Sequence, residues 1–501
     1  MIALSSPSRI GLAGIVTIVA AATTGWLPAA PATEARADTG AVVSPASWGR
    51  AQEVPGTAAL NKAGSAAVTS VSCASAGNCG MVGNYSVING GYLHARPFVA
   101  GEKNGRWLTA GEMPGTLALS DRHRSVTISS LSCASAGNCS AGGNYALSLN
   151  DTQVFVVSQT NGAWRKAVRV PGIVALNDLK VASITSVSCG SAGNCSAGGN
   201  YDGTGGNGGH QAFVVNETNG TWGKAIEVPG TAALNHGGDA SISSVSCASA
   251  RNCSAGGYYY DGSDRWQMFV VSEKDGTWGN AIEVPGLAAL STDGWNPFAF
   301  LVSCASAGNC SAGGSYGTGF NEQQAFVVSQ VHGTWGSAVE APGTGALNQG
   351  MRGAITSISC ASPGNCAAGG YYDDSSGQTQ AFVLSQKNGT WGDAIEVPGT
   401  AALNQGDASI SSVWCASAGN CSAGGSYYGT DGYQAFVVSE TNGTWQKAIE
   451  VPGTAALNRG GNASIISVSC ASAGNCSAGG TYEDSSGHQQ AFVVNETTAR
   501  P

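Results

Sequence analysis

Sixteen cysteines stand in eight C-x5-C pairs: Cys73/Cys79, Cys133/Cys139, Cys189/Cys195, Cys247/Cys253, Cys304/Cys310, Cys360/Cys366, Cys415/Cys421 and Cys470/Cys476. None is left over. The spacing raises three chemistries. A metal site needs clustered ligands, but the chain holds only six histidines and none accompanies a pair, so no metal is assigned. Thiol oxidoreductases use C-x-x-C, which excludes a redox reading. Disulfide bonding across a hairpin is what the spacing predicts, with each pair flanking a surface turn. Facing residues of an antiparallel pair lie about 4.5–5.5 Å apart at Cα, within disulfide range. Each bridge closes a loop of about seven residues and contributes roughly 2 kcal/mol.

Two further residue types recur at fixed distance from these pairs. A tyrosine lies six positions after each second cysteine: Tyr85, Tyr145, Tyr201, Tyr259, Tyr316, Tyr372, Tyr427 and Tyr482. A glutamine follows in most repeats: Gln153, Gln211, Gln267, Gln324, Gln380, Gln434 and Gln490, with Arg96 in that place at the start. Asp, Ser and Gly lie between them. An aromatic platform with amide and carboxylate groups can bind a sugar by stacking and hydrogen bonding. Equally, a tyrosine at a strand end can pack inside the fold and satisfy its hydroxyl locally. The acidic loops, such as "DGSD" and "DDSSG", are shorter and less regular than a calcium loop. No cofactor is implied.

Basic residues gather near the start. His94 and Arg96 stand where other repeats carry uncharged residues or glutamine, and Arg122, His123 and Arg124 fill the following connection. In a chain of net charge −9, such a cluster predicts a local positive patch. It would suit a uronic-acid glycan, a teichoic-type polymer or an acidic protein loop. The alternative is a set of solvated loop charges.

What positions these residues is a repeat of about 58 residues. Tryptophans from Trp48 to Trp445 are each followed seven positions later by Pro-Gly, and phenylalanines from Phe98 to Phe492 head a second apolar run. Each unit reads as two hairpins. "SISSVSCASAGNCSAGGYYY" (241–260) is strand, short turn, strand. "AFVVNETNGTWGKAIEV" (212–228) is strand, Asn-Gly turn, Trp-led strand. Asn-Gly between apolar strands is a strong hairpin signal. Proline suits a strand end, and no segment shows a helical period with caps. Four strands per unit predict a β-propeller blade, with strands A to D running from the Ser-rich inner strand to the Trp-led outer one.

The two chain ends are complementary. "SWGRAQEVPG" (47–56) is a closing strand without a unit before it, and the last unit stops where its closing strand should start. The expected fold is all-β: a single eight-bladed propeller of four-stranded antiparallel blades, occupying 47–501. The first strand would complete the last blade and cover its edge. An open solenoid would instead end in atypical capping repeats. The A–B and C–D turns keep their length, whereas the B–C loops and D–A connections vary. One face is therefore uniform and the other diverse, and function tends to sit on diverse loops held by a rigid scaffold.

Residues 1–37 read as a secretory signal peptide: Arg9, an apolar Ile10–Ala22 stretch and an Ala35-Arg36-Ala37 cleavage site. Residues 38–46 read as a short linker. No later segment reaches the ~18 apolar residues of a membrane helix, so no membrane span is expected. An acidic surface disfavours nucleic acid. The product is expected to be secreted, in a compartment where disulfides persist, and to be a monomer.

"SVSCASAGNCSAGG" together with "AFVVSETNGTWGKAIEVPG" resembles the repeats of large secreted bacterial β-propeller proteins, mostly without assigned activity. The likeness covers essentially the whole chain after residue 46. "SEKDGTW" (272–278) is also partly similar to the sialidase Asp-box, S-x-D-x-G-x-T-W, which likewise sits at a C–D turn. Acid and glycine are adjacent here, and no recurring arginine set or Tyr/Glu pair of the sialidase kind is present. The resemblance implies the fold and little of the activity. No hydrolase, zincin, Walker or dinucleotide motif occurs. Near-identical repeats offer the same groups eight times, which suits multivalent binding better than one asymmetric catalytic constellation. The reading is an extracellular binding module for a glycan, cell-wall polymer or protein surface. The alternatives are a structural envelope or matrix protein and a glycosidase or lyase on a propeller scaffold.

Overall fold

The computed structural model describes residues 47–120, 124–177, 180–203, 209–263, 265–291, 300–319 and 322–497. The proposed signal peptide and linker, and Arg122 and His123, lie outside them. Eight antiparallel sheets, one per repeat, form an eight-bladed propeller. In blade 4, strand A is Ala240–Ser249, B is Asn252–Tyr260 and C is Trp266–Lys274. In blade 8 they are Ser464–Ser472, Asn475–Glu483 and Gln489–Thr497. That blade takes its strand D from the start of the chain, as its complementary ends predict. Trp48 pairs with Glu496, and Gln52 and Glu53 pair with Val493 and Phe492.

Strand D differs from the continuous strand expected. It is two short pieces, Thr277–Trp278 and Ile282–Glu283 in blade 4. Between them the backbone turns toward the neighbouring blade. The amide of an alanine there donates to the carbonyl of the proline that ends the preceding blade. This bond repeats around the whole ring, from Ala110–Pro55 to Ala448–Pro398, at 2.6–2.9 Å. Ala51 to Pro452 (2.7 Å) is its copy at the junction of the chain ends. After each proline, a glycine with positive φ, such as Gly56 at 89°, opens a single helical turn such as Thr57–Leu60. Its threonine hydroxyl donates back to the strand end, Thr57 to Val54 O at 2.7 Å. These turns have no helical period in sequence because they are too short to display one. Only the residues after them vary, so the D–A connection is half fixed.

Each innermost strand leaves one edge of backbone N–H groups without a sheet partner. Serines of the preceding blade satisfy them. In one ladder the next blade's first half-cystine amide donates to a serine hydroxyl, from Cys133–Ser72 to Cys73–Ser469, at 2.9–3.0 Å. A second runs two residues earlier, as Val187 to Ser130 and Val71 to Ser467, both 3.0 Å. Trp414 replaces the serine of the first ladder in blade 7, and Leu301 that of the second in blade 5. The serine-rich composition of strand A is thus the inner seam of the ring.

All sixteen cysteines are paired as expected, Cys73–Cys79 through Cys470–Cys476. Their Cα atoms lie 3.9–4.0 Å apart, closer than facing strand residues usually stand, beside a register shift in each hairpin. The A–B and C–D turns lie side by side on this clipped face, with Gly105 N donating to Gly77 O at 2.9 Å.

The strand B half-cystines are core residues. Cys195, Cys253, Cys310, Cys366 and Cys421 are only 3–4% exposed. For three of them a strand B serine of the preceding blade meets the sulfur. Cys253 lies 3.3 Å from the Ser196 hydroxyl, Cys310 3.4 Å from Ser254 and Cys366 3.5 Å from Ser311. Ala367 takes the serine's place in blade 6 and packs in one cluster with Cys421. These five half-cystines brace the scaffold from inside it and are not available to a ligand.

Candidate functional site

The recurrent tyrosines sit on strand B, each opposite the glutamine position of strand C, as Tyr201 opposite Gln211 and Tyr85 opposite Arg96. That register turns them inward. Tyr201, Tyr259, Tyr372 and Tyr482 are buried, with their rings 6.3–6.4 Å from the blade's phenylalanine. Their hydroxyls donate to a strand D carboxylate: Tyr201 to Glu227 at 3.1 Å, Tyr259 to Glu283 at 3.2 Å, Tyr372 to Glu396 and Tyr482 to Glu53 at 3.5 Å. Burial, and then the neighbouring carboxylate, pushes these phenols well above their ordinary range. They stay protonated donors. None offers a ring face to solvent.

The glutamines brace the loops. Gln380 Nε2 donates to Asp374 Oδ2 in its own B–C loop, and its Oε1 accepts from Asn404 in the next connection, both at 2.9 Å. Gln490 does the same between Asp484 and Asn61 of blade 1, again at 2.9 Å. Gln211 accepts from Asn235 at 3.1 Å. The loop carboxylates are occupied too. Asp374 accepts from the Ser376 hydroxyl and amide and the Gln378 amide, and these bonds hold its carboxyl down at about 2. Among the described residues no group of three or more His, Cys, Asp or Glu is placed to hold a metal ion.

The basic cluster is not assembled as a surface patch within the described residues. Arg96 is 4% exposed. Its guanidinium donates to the carbonyls of Ala95 and Arg124 and faces Tyr85 and Glu112. It occupies the inward glutamine position of strand C, and it follows the register of that position rather than its own charge. His94 is half-buried, and its Nε2 has no partner among the described residues.

Among polar loop residues, several large apolar side chains project from the variable face. Blade 1 has the longest B–C hairpin, Asn78–Asn89 and Tyr92–Lys103 joined by Gly90-Gly91. Ile88 (66% exposed), Tyr92 (74%) and Leu93 (63%) stand at its tip, and Leu149 (92%) at that of blade 2. Sequence reasoning passed over them because they follow no repeat. The signal was an apolar "VINGGYL" at a loop tip where other blades are polar.

A second network was also missed. In seven of the eight outer seams the Trp and Glu or Gln of one blade face a Ser or Asn of the blade before. Trp48 Nε1 donates to Ser439 Oγ at 3.3 Å, and Ser439 donates to Glu496 at 2.8 Å. Ser158, Trp222 and Glu217 repeat this, as do Ser385, Trp445 and Glu440. Asn216 and Asn495 do the same for Trp278/Glu273 and Trp107/Glu102. These glutamates are buried, and burial pushes Glu102, Glu273, Glu440 and Glu496 above the ordinary carboxyl range.

Fold and seams together define a disulfide-braced eight-bladed β-propeller. The chain matches no protein-family model and no curated protein. Similar solved structures include Sqt1 from Chaetomium thermophilum, with TM-score 0.46 and 12% identity over 89% of this chain and 98% of that one. An ulvan lyase bound to its glucuronate–rhamnose sulfate ligand gives TM-score 0.42 and 11% identity over 74% and 90%. A Hadza microbial sialidase gives 0.34 and 12% over 72% and 73%. These likenesses are too distant to speak for function. Eight disulfides fit an oxidising environment, and no helix among the described residues is long and apolar enough to cross a membrane.

Proposed function

We propose that the protein is a secreted extracellular binding module whose ligand is a carbohydrate or cell-surface polymer. The observation that supports this reading is the division of labour between the faces. The repeated tyrosines are buried in the scaffold and the glutamines and loop acids are taken up in hydrogen bonds, while Ile88, Tyr92, Leu93 and Leu149 stand exposed on adjacent hairpins. Exposed apolar side chains clustered at loop tips mark interaction sites, and a tyrosine tip is a common sugar and surface contact. A structural envelope role is the rival, favoured by the internal position of the repeated tyrosines, phenylalanines and strand B half-cystines. A screen of the secreted protein against glycan arrays and purified cell-wall polymers separates the two. Binding that weakens about tenfold or more in Y92S/L93S, with an unchanged melting temperature, supports the module. Absence of any bound polymer supports the structural role.

A further inference from the structure

The seam between blades 1 and 2 lacks the serine or asparagine that the other seven seams place against the tryptophan strand. Gly101 stands where the other blades place Ser or Asn, and Gly80 where most place a strand B serine. Trp164 and Gln159 are nevertheless present on the facing blade. Trp164 Nε1 has no hydrogen-bond partner among the described residues. Gln159 donates from Nε2 to Gly162 O at 3.1 Å, which leaves Oε1 as an acceptor. A cleft of about 320 Å³ opens there, lined by Trp164, Gln159, Leu108, Gly80 and Gly101, with Lys103 at its edge. The corresponding groove between blades 4 and 5, about 360 Å³, is lined by Ser254, Ser272 and Gln330 but not by Trp335, which is buried. In that groove the serine is present and the cleft stops short of the indole. A Cβ on Gly101 would meet nothing within 4 Å, so the space is real and not filled by a neighbour.

We infer that this cleft is a binding site for a sugar unit of a glycan, one hydroxyl of which takes the place of the missing serine. At three glutamate seams a serine hydroxyl accepts from the indole N–H and donates to the carboxylate on the facing strand. A sugar hydroxyl accepts from Trp164 Nε1 and donates to Gln159 Oε1 in the same way. The C–H face of the ring packs on Trp164 and the half-exposed Leu108, in a cleft at the small end of the range for ligand pockets. The site lies on the clipped face, away from the hairpin tips. It rests on the proposed carbohydrate role for its ligand class only.

The test uses the full secreted chain, with tetrasaccharides of glucose, N-acetylglucosamine and galacturonic acid titrated by calorimetry and by tryptophan fluorescence. At least one should bind, and G101S, which supplies the missing hydroxyl from the protein itself, should weaken it about tenfold or more. W164F should do the same and remove the fluorescence change. G101S should melt no lower than the parent, which separates a filled site from a damaged fold, and Q159A provides a second lesion without added volume. Sugar binding that G101S, W164F and Q159A leave intact but Y92S/L93S abolishes overturns this site and keeps the broader function. If no tetrasaccharide binds, the site is overturned, and the broader function then rests on the array and polymer screen.

Discussion

Seams closed by glutamate and seams closed by glutamine solve the same packing problem with different success. At a glutamate seam the serine hydroxyl donates to the carboxylate and keeps a lone pair for the indole, as Ser385 does between Glu440 and Trp445. At a glutamine seam the amide is the donor. Gln330 Nε2 reaches Ser272 and Gln386 Nε2 reaches Ser329, both at 3.1 Å. The indoles of Trp335 and Trp391 are then left buried without a partner. The first arrangement satisfies every donor but buries a charge-bearing group, and the second avoids the charge and strands a donor. The blade 1–2 seam does neither, because its serine is gone. Eight copies of one repeat thus hold three grades of closure, and the molecule's asymmetry lies in its seams as much as in its loops.

The largest expected effect comes from breaking the seam that joins the chain ends. A chain beginning at Ala51 loses Trp48, its bond to Ser439 and its pairing with Glu496. It should lose at least the roughly 3–5 kcal/mol of deleting one buried tryptophan and aggregate through the exposed edge. A truncated protein that melts with the full chain contradicts closure. Next, S439A should cost about 2–3 kcal/mol by stranding a carboxylate and an indole together, while S272A, whose partner is a neutral amide, should cost about 1. Equal losses in denaturant titrations would remove the distinction between the seams. Replacing Cys73 and Cys79 together by alanine should cost roughly 2 kcal/mol. Thiol titration of the native protein should find no free cysteine.

Much of this was legible in the sequence. Complementary chain ends, paired cysteines and the Trp-to-Pro spacing report local geometry and period, and the propeller, its closure and its hairpins follow from them. The candidate site was not legible in the same way. Tyr201 and Arg96 read as rim residues because they flank the B–C loops, but strand register points both inward, and register is a property of the paired strand. The bend that carries Ala110 to Pro55 is a contact between blades, and no pattern within one repeat encodes it. The seam clasp joins residues more than fifty positions apart, so Gly101 looked like one glycine among 74 until Trp164 was seen beyond it.

A smaller effect should appear with pH. Burial raises the carboxyls of Glu102, Glu273, Glu440 and Glu496 above the ordinary 4.5. The folded chain then holds these protons more tightly than the unfolded one. Their contribution to stability is greatest below about 4.5 and falls as pH rises toward the raised folded values, then levels off. Asp374 acts in the opposite sense, since its carboxyl is held at about 2 against an ordinary 3.8. Its contribution is present above 3.8 and is lost as pH falls toward 2. Melting temperature should therefore peak on the acid side of neutrality, near the ordinary carboxyl range. Replacing the four glutamates by glutamine should lower stability overall and flatten the fall above 4.5. An unchanged slope in that variant would show that the seams do not titrate.

The seam account is tested most directly by hydrogen exchange of the tryptophan indole N–H groups, read by nitrogen-edited NMR of the intact protein. The indoles of Trp48, Trp107, Trp222, Trp278 and Trp445, each bonded to a serine or asparagine of the preceding blade, should exchange slowest. Trp335 and Trp391, buried but unbonded, should be faster, and Trp164 should be the fastest of the eight outer-strand indoles. A Trp164 indole as protected as that of Trp222 would mean that the blade 1–2 seam is closed, and would contradict the account.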